Sequence, residues 1–141
     1  MTTTYRLCGV RHAYGDRCVV DIADLSIFEG EVLGIVGPSG AGKSTLLRLL
    51  NFLEIPTTGH VEYRGSAYDG DVPLSVRREV TTVFQRPMLL RRSVSANIRI
   101  AQRIRGDTPG DTLIDQWLER LGLADLTDAP IRTLSAGEAQ R

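Results

Sequence analysis

At 141 residues the chain has the length of one ordinary domain and can bury a core of that size. Seventeen basic and seventeen acidic side chains cancel, and 42% hydrophobic with 24% charged residues excludes a disordered or fibrous chain. Zero net charge gives no global attraction to nucleic acid or a membrane surface. No apolar run approaches the roughly 18 residues of a membrane span, and the N-terminus lacks the charged-then-apolar pattern of a signal peptide. Cys8 and Cys18 show neither C-x-x-C spacing nor a neighbouring histidine cluster in sequence. Buried free thiols in a reducing, cytoplasmic compartment are expected.

In chain order, residues 5–10 alternate weakly and predict a strand, residues 17–22 predict another, and Gly15-Asp16 predicts the turn of a hairpin. Residues 31–36 form a short continuous apolar run ending at Gly37, the pattern of a buried parallel strand feeding a glycine loop. A helix with a wide apolar face follows from Ser44. Residues 60–63 predict a strand after the turn at Gly59, residues 73–79 a short helix, and residues 80–84 a buried strand. His12 and His60 are expected at the surface or in turns. Beyond Gln85 the pattern turns helical. Residues 93–105 place Val94, Ile98 and Ile104 near one face. Leu113, Ile114, Trp117, Leu118 and Leu121 make an amphipathic stripe, with Asp111 as its cap, Gly122 as its end and Trp117 as a core anchor. The chain thus divides into an α/β portion, residues 1–86, and a helical portion, residues 87–141. Between residues 86 and 105 lie six arginines and no acid, either a solvated helix face or a docking surface.

Sixteen of the seventeen basic residues are arginines. The only lysine, Lys43, lies in Gly37-Pro38-Ser39-Gly40-Ala41-Gly42-Lys43-Ser44-Thr45. This stretch fits G-x-x-x-x-G-K-[ST], the phosphate-binding loop of nucleoside-triphosphatases, in the strand–loop–helix context that motif requires. Successive N–H groups of such a loop form a cup for phosphate oxygens, and the helix aims its positive end at the same anion. Glycine at 37, 40 and 42 permits conformations and close approaches that a Cβ obstructs. Lys43 is a compact point charge able to reach the β- and γ-phosphates. The Ser44 hydroxyl is placed for Mg²⁺, and Thr45 lies near the α-phosphate. The loop alone does not choose between kinases, GTPases and motor ATPases.

Three further features resemble the nucleotide-binding subunit of ABC (ATP-binding cassette) transporters, over residues 5–141. Tyr14, beside Gly15 and ahead of the loop, is similar to the family's aromatic that stacks on adenine. Gln85 after Val83-Phe84 resembles the glutamine that contacts Mg²⁺ and the attacking water. Leu134-Ser135-Ala136-Gly137-Glu138 resembles the family signature, with Ala136 where glycine is usual. The resemblance implies a phosphate-loop NTPase (RecA-like) α/β core with N-terminal antiparallel strands and an α-helical subdomain. It implies ATP and Mg²⁺ as cofactors, with Lys43 and Gln85 catalytic and Ser44 and Gln85 at the metal. It also implies a head-to-tail homodimer in which Ser135 and Gly137 hold the γ-phosphate bound by the opposite subunit. Separate membrane permease subunits would be the other partners, without direct membrane insertion.

The segment from Val83 to Val94 is similar to importer cassettes for oxyanions such as tungstate, in which it lies against the permease's cytoplasmic helix. The family's next strand, ending in Asp-Glu, and its switch histidine do not occur in these 141 residues. The sequence is therefore expected to be a cassette truncated before the Walker B strand, weak in ATP binding, inactive in hydrolysis by itself and prone to aggregate. Soluble cassettes of DNA repair place long coiled coils between the glutamine and the signature, and no sustained heptads occur there. A soluble cassette acting on ribosomes and a non-catalytic truncated cassette are the remaining alternatives.

Overall fold

The computed structural model describes residues 2–84, 87–106 and 110–141, apart from the side chains of Arg105 and Asp111. The chain forms two compact units, Met1–Thr82 and Val83–Arg141.

The first unit is built on an antiparallel sheet in which β1 (Thr3–Tyr14), β2 (Arg17–Phe28), β3 (Thr58–Tyr63) and β4 (Ser66–Tyr68) stand in the order β2-β1-β3-β4. Gly15-Asp16 is the two-residue turn expected, with Gly15 at φ 59° and Tyr14 paired to Arg17. The weak alternation of the first two strands has a structural cause. Leu7 faces the core opposite Leu25, but the next core pair comes three residues later, Val10 with Ile22, and then His12 with Val20. The side-chain phase of both strands changes between these pairs, at Gly9, whose φ is 57°. On the β3 side the register slips there too, because Cys8 pairs with His60 but Arg11 with Thr58, a bulge of one residue. Both strands consequently run past the predicted residues 5–10 and 17–22.

One face of this sheet packs against α1 (Lys43–Leu50), whose Thr45, Leu46, Leu49 and Leu50 are buried. Phe52 closes the core with Tyr5, Tyr63 and Tyr68, ring centroids 5.5–6.3 Å from its own. Tyr5 is pushed up to about 12 by burial, with lesser effects from Tyr63 and Glu79. His12, expected at the surface, is buried, because the phase change turns it inward beside Val10. Cys18, expected to be buried, is exposed, and Cys8 is half-buried.

Two sequence expectations fail here. Residues 31–36 and 80–84 are not strands. Val32 and Val36 are 96% and 94% exposed, and Val83 and Phe84 are also exposed. A strand is held by the ladder of main-chain hydrogen bonds it makes with a neighbouring strand, and among the described residues neither segment has a ladder partner. Apolar, β-branched composition alone does not hold an extended segment. The short helix α2 (Leu74–Arg77) does form within predicted residues 73–79.

The second unit contains α3 (Val94–Arg105), α4 (Asp111–Arg120) and α5 (Ala136–Gln140). Its core is Val94, Ile114, Leu118 and Leu123, with Ile98, Leu121 and Leu134 against it. Ser93 caps α3, its Oγ accepting from the Ala96 N–H at 3.3 Å. Ile104 is exposed, since ten residues from Val94 at 100° each bring it far off that face. Trp117 is not a core anchor. Ile114, Leu118 and Leu121 repeat at i, i+4 and i+7 on the buried stripe, and this leaves Leu113 and Trp117 on the half-exposed flank. The Arg120 guanidinium lies 5.1 Å from the Trp117 ring centre. Asp111 is the first helical residue and Gly110 takes the cap position, while Gly122 ends the helix as expected, at φ 64°. Among the described residues no helix is long and apolar enough to cross a membrane.

Gly59 has φ 77°, and a Cβ there would meet the main-chain carbonyl oxygens of Cys8 and Gly9 at the bulge. Gly59→Ala should therefore cost about 2 kcal/mol or more of stability, measured as a lowered urea midpoint with an unchanged slope.

Candidate nucleotide-binding site

The glycine loop is shaped from both ends. On its helix side Gly42 is the N-cap of α1 in the left-handed conformation, φ 81° and ψ 2°. A Cβ on Gly42 would collide with the main-chain carbonyl oxygen of Val19 on β2, so only glycine lets the helix start so close to the strand. Glycine offers no capping oxygen, and no side chain caps the first turn. The N–H groups of Lys43, Ser44 and Thr45 therefore have no intrahelical acceptor and form an anion-ready helix start. Gly40, at φ 82°, continues the left-handed turn. Upstream, the Ala41 N–H closes on the Pro38 carbonyl at 3.3 Å.

Lys43 folds back over this loop. Its ammonium donates to the carbonyls of Gly37 and Pro38, both at 2.7 Å. An ammonium has three donors, so one remains for an anion. A cavity of about 330 Å³ is lined by Ser39, Gly40, Ala41, Gly42, Lys43, Ser44 and Thr45, together with Val19 and Arg17. No carboxylate is among these residues. The cavity thus carries two cations and several main-chain donors with no opposing negative charge, which fits a polyphosphate. Gly37 and Pro38 shape the loop and hold the lysine without lining the cavity.

Arg17 escaped the sequence reading. It follows Tyr14 by three residues across the two-residue turn and pairs with it, so the hairpin joins the phosphate cavity to the aromatic. Tyr14 is half-exposed, with its edge-on neighbour His12 at 4.9 Å between ring centres and 84° between planes. Its hydroxyl donates to Glu54 Oε2 at 2.6 Å. Arg48 of α1 is held in its charged form first by a hydrogen bond with Tyr14 and then by Glu54, whose Oε1 is 3.3 Å from Nη1. His12 is fixed too. Its Nδ1 lies 3.0 Å from the Ile55 carbonyl, which can only accept and so puts the hydrogen on Nδ1. Its Nε2 is 3.3 Å from Glu54 Oε2 without hydrogen-bond geometry. Glu54 and Arg48, also missed in sequence, therefore lock the Tyr14 hydroxyl and leave the ring available for stacking.

Gln85 lies outside the described residues. In the second unit, Ser135 is the N-cap of α5 in a full capping box. Its Oγ accepts from the Glu138 N–H at 3.2 Å, and Glu138 Oε2 accepts from the Ser135 N–H at 2.6 Å. The Ser135 side chain also supports the ionised Glu138 carboxylate, which ties the hydroxyl to the capping box. Gly137 sits in the first turn with open space around it. A second motif is invisible as such in sequence. The Asn97 carboxamide accepts from the Leu90 N–H at 2.8 Å and donates to the Leu90 and Ser93 carbonyls at 3.0 and 2.9 Å. Asn97 thereby pins the segment carrying Met88, Leu89 and Leu90, whose side chains are exposed.

The fold is that of a phosphate-loop NTPase. The cassette cbiO1 of Clostridium perfringens, described as part of the ABC transporter complex cbiONQ, superposes with a TM-score of 0.78 at 25% identity, over 99% of this chain and 59% of that one. The profile described as "ABC transporter" matches residues 20–141, and the chain belongs to that family. It is 36% identical to the tungstate uptake system ATP-binding protein TupC of Peptoclostridium acidaminophilum, over 94% of this chain and 60% of the relative. It is also 36% identical to the lipoprotein-releasing system ATP-binding protein LolD of Anaplasma marginale, over 100% of this chain and 67% of that protein. The chain thus spans about three-fifths of the first relative's length.

The Ser135 N–H first, and then the Ser135 side chain, hold the Glu138 carboxyl below its ordinary value of 4.5. A carboxyl lowered in the folded state contributes stability above its unfolded value and loses it as the pH falls through the folded one. The start of α5 should therefore stay capped at neutral pH and fray only below the ordinary glutamate range. An NMR titration should find the Glu138 midpoint below 4.5, and Ser135→Ala should move it upward.

Proposed function

We propose that the chain binds ATP as part of the nucleotide-binding subunit of a transporter and couples its use to movement of a solute through separate permease subunits. The observation that carries this reading is the acid-free cavity of Ser39–Thr45, with Lys43, Arg17 and an uncapped helix start converging on it. In this reading the loop N–H groups and Lys43 hold the β- and γ-phosphates, Arg17 adds a second cation, and the adenine stacks on Tyr14. Mg²⁺, which neutralises charge between the phosphates, fits the Ser44 hydroxyl at the helix start, with Gln85 as its other contact. Ser135 and Gly137 offer a hydroxyl and main-chain donors to the γ-phosphate of a head-to-tail partner cassette.

Because no carboxylate lines the cavity among the described residues, these residues account for binding and positioning. The base that activates water is expected outside them, and the described residues alone are expected to hydrolyse ATP only at background rate. Exposed Val32 and Val36 favour aggregation when nothing covers them.

We assign the work to import, with an oxyanion such as tungstate as cargo, supported by the printed function of the tungstate relative. The exposed Met88–Leu90 segment followed by Arg91 and Arg92 is the surface proposed to meet the permease, at the cytoplasmic side of the membrane. Binding of the full-length protein to a permease tests this reading, and co-sedimentation with ribosomes instead would replace it by a translation role.

Nucleotide binding, followed with a fluorescent ATP analogue, should weaken about 10- to 100-fold in Lys43→Ala, which removes a charge-assisted contact of about 1.5–3 kcal/mol. Arg17→Ala should weaken it about tenfold. Tyr14→Phe should bind nearly as the parent does, and Tyr14→Ala should lose about tenfold. Equal affinity of all four variants would remove the site from this cavity.

A further inference from the structure

The face of the antiparallel sheet opposite the core carries a donor set that the nucleotide site does not use. Leu7 pairs with Val61 and both are buried in the core. One residue along each strand, Cys8 pairs with His60 and turns to the other face, and Glu62, two residues beyond His60 on β3, turns to that face as well. The Cys8 Sγ, the His60 ring nitrogen and a Glu62 carboxylate oxygen lie within 4.8 Å of one another, and all three residues are half-buried. Glu62 Oε1 is 3.9 Å from Cys8 Sγ and 3.3 Å from His60 Nε2.

From these features we propose that Cys8, His60 and Glu62 form a binding site for a divalent transition-metal ion of the zinc class. Metal–ligand bonds of about 2.0–2.3 Å at tetrahedral angles put ligand atoms roughly 3.3–3.7 Å apart. The Nε2–Oε1 separation already meets this, and the sulfur needs only a small side-chain rotation. The thiol–carboxylate contact, at 3.9 Å, is a long sulfur hydrogen bond, and the His60 Nε2–Glu62 Oε1 contact, at 3.3 Å, is a closer one. The Glu62 carboxylate is turned toward Cys8 and His60, the other two members of the set. Its cross-strand neighbour Arg6 directs both Nε and Nη2 to Asp24 Oδ2, at 3.1 and 2.9 Å. The same pair withholds Asp24 as a fourth protein ligand, which leaves that position to water. A set of one sulfur, one nitrogen and one oxygen suits borderline-soft zinc better than magnesium or calcium. On binding, the Cys8 thiol gives its proton to solvent and the thiolate, the neutral imidazole and the carboxylate each donate a lone pair, with no change of oxidation state. The ion would join β1 to β3 beside the Gly9 bulge, where the register is irregular, and so staple the sheet that carries Tyr14.

The test is Co²⁺ titration of the full-length reduced, metal-stripped protein. One equivalent should produce a thiolate-to-cobalt charge-transfer absorption that Zn²⁺ then abolishes. The absorption should persist in Cys18→Ser, vanish in Cys8→Ser, and require more than tenfold higher Co²⁺ in His60→Ala and Glu62→Gln. Zn²⁺ should raise the melting temperature by several degrees in the parent and not in Cys8→Ser. Binding of the fluorescent ATP analogue by Cys8→Ser should match the parent, showing that the variant is folded. Absence of the absorption from the parent, or its survival in Cys8→Ser, would overturn the site.

Discussion

The approach of α1 to β2 at Gly42 is the contact on which the nucleotide site depends. The helix begins against the Val19 carbonyl, in a left-handed conformation and at a distance that no side chain tolerates. Because the cap is glycine, the first-turn N–H groups stay unpaired and point at the cavity. Because the helix is held close to β2, Arg17 reaches the same cavity, and the hairpin that carries Arg17 also carries Tyr14. The phosphate cup, the second cation and the aromatic thus share one geometric origin.

The polar shell around Tyr14 follows from that arrangement. Arg48 is on the helix that the glycine loop begins, and Glu54 lies just past its end. Together they hold the phenol hydroxyl of a residue on β1. A ring held at its hydroxyl keeps its face presented without further cost in side-chain entropy, which suits a stacking platform. His12, turned inward by the phase change at Gly9, supports the ring edge-on.

The second unit solves a similar problem with different parts. Ser135 and Glu138 satisfy each other at the start of α5, and Asn97 substitutes for a missing strand partner by pairing with both main-chain groups of Leu90. The pinned segment presents apolar side chains and arginines outward. Such a surface is stable only when its backbone is satisfied internally, since exposed Met88 and Leu90 contribute no burial of their own.

The sequence by itself determined what local chemistry dictates. The glycine loop with its lone lysine, the Gly15-Asp16 turn and the Gly122 helix stop were legible because each is a constraint on a few consecutive residues. So was the Ser135 motif. Its Ser-x-x-Glu spacing encodes its own hydrogen bonds. Only tertiary structure decided the rest. The apolar runs 31–36 and 80–84 read as strands, yet a strand exists only where a neighbour supplies its ladder, and no pattern within a run reports that neighbour. The inward turn of His12 and the outward turn of Trp117 depend on a bulge and on a helix rotation, each of which shifts a face without changing composition. Arg17, Glu54 and Arg48 join Tyr14, and Cys8 meets His60 and Glu62, across separations of up to 54 residues. Contacts of that kind are set by strand register and leave no local signature in the chain.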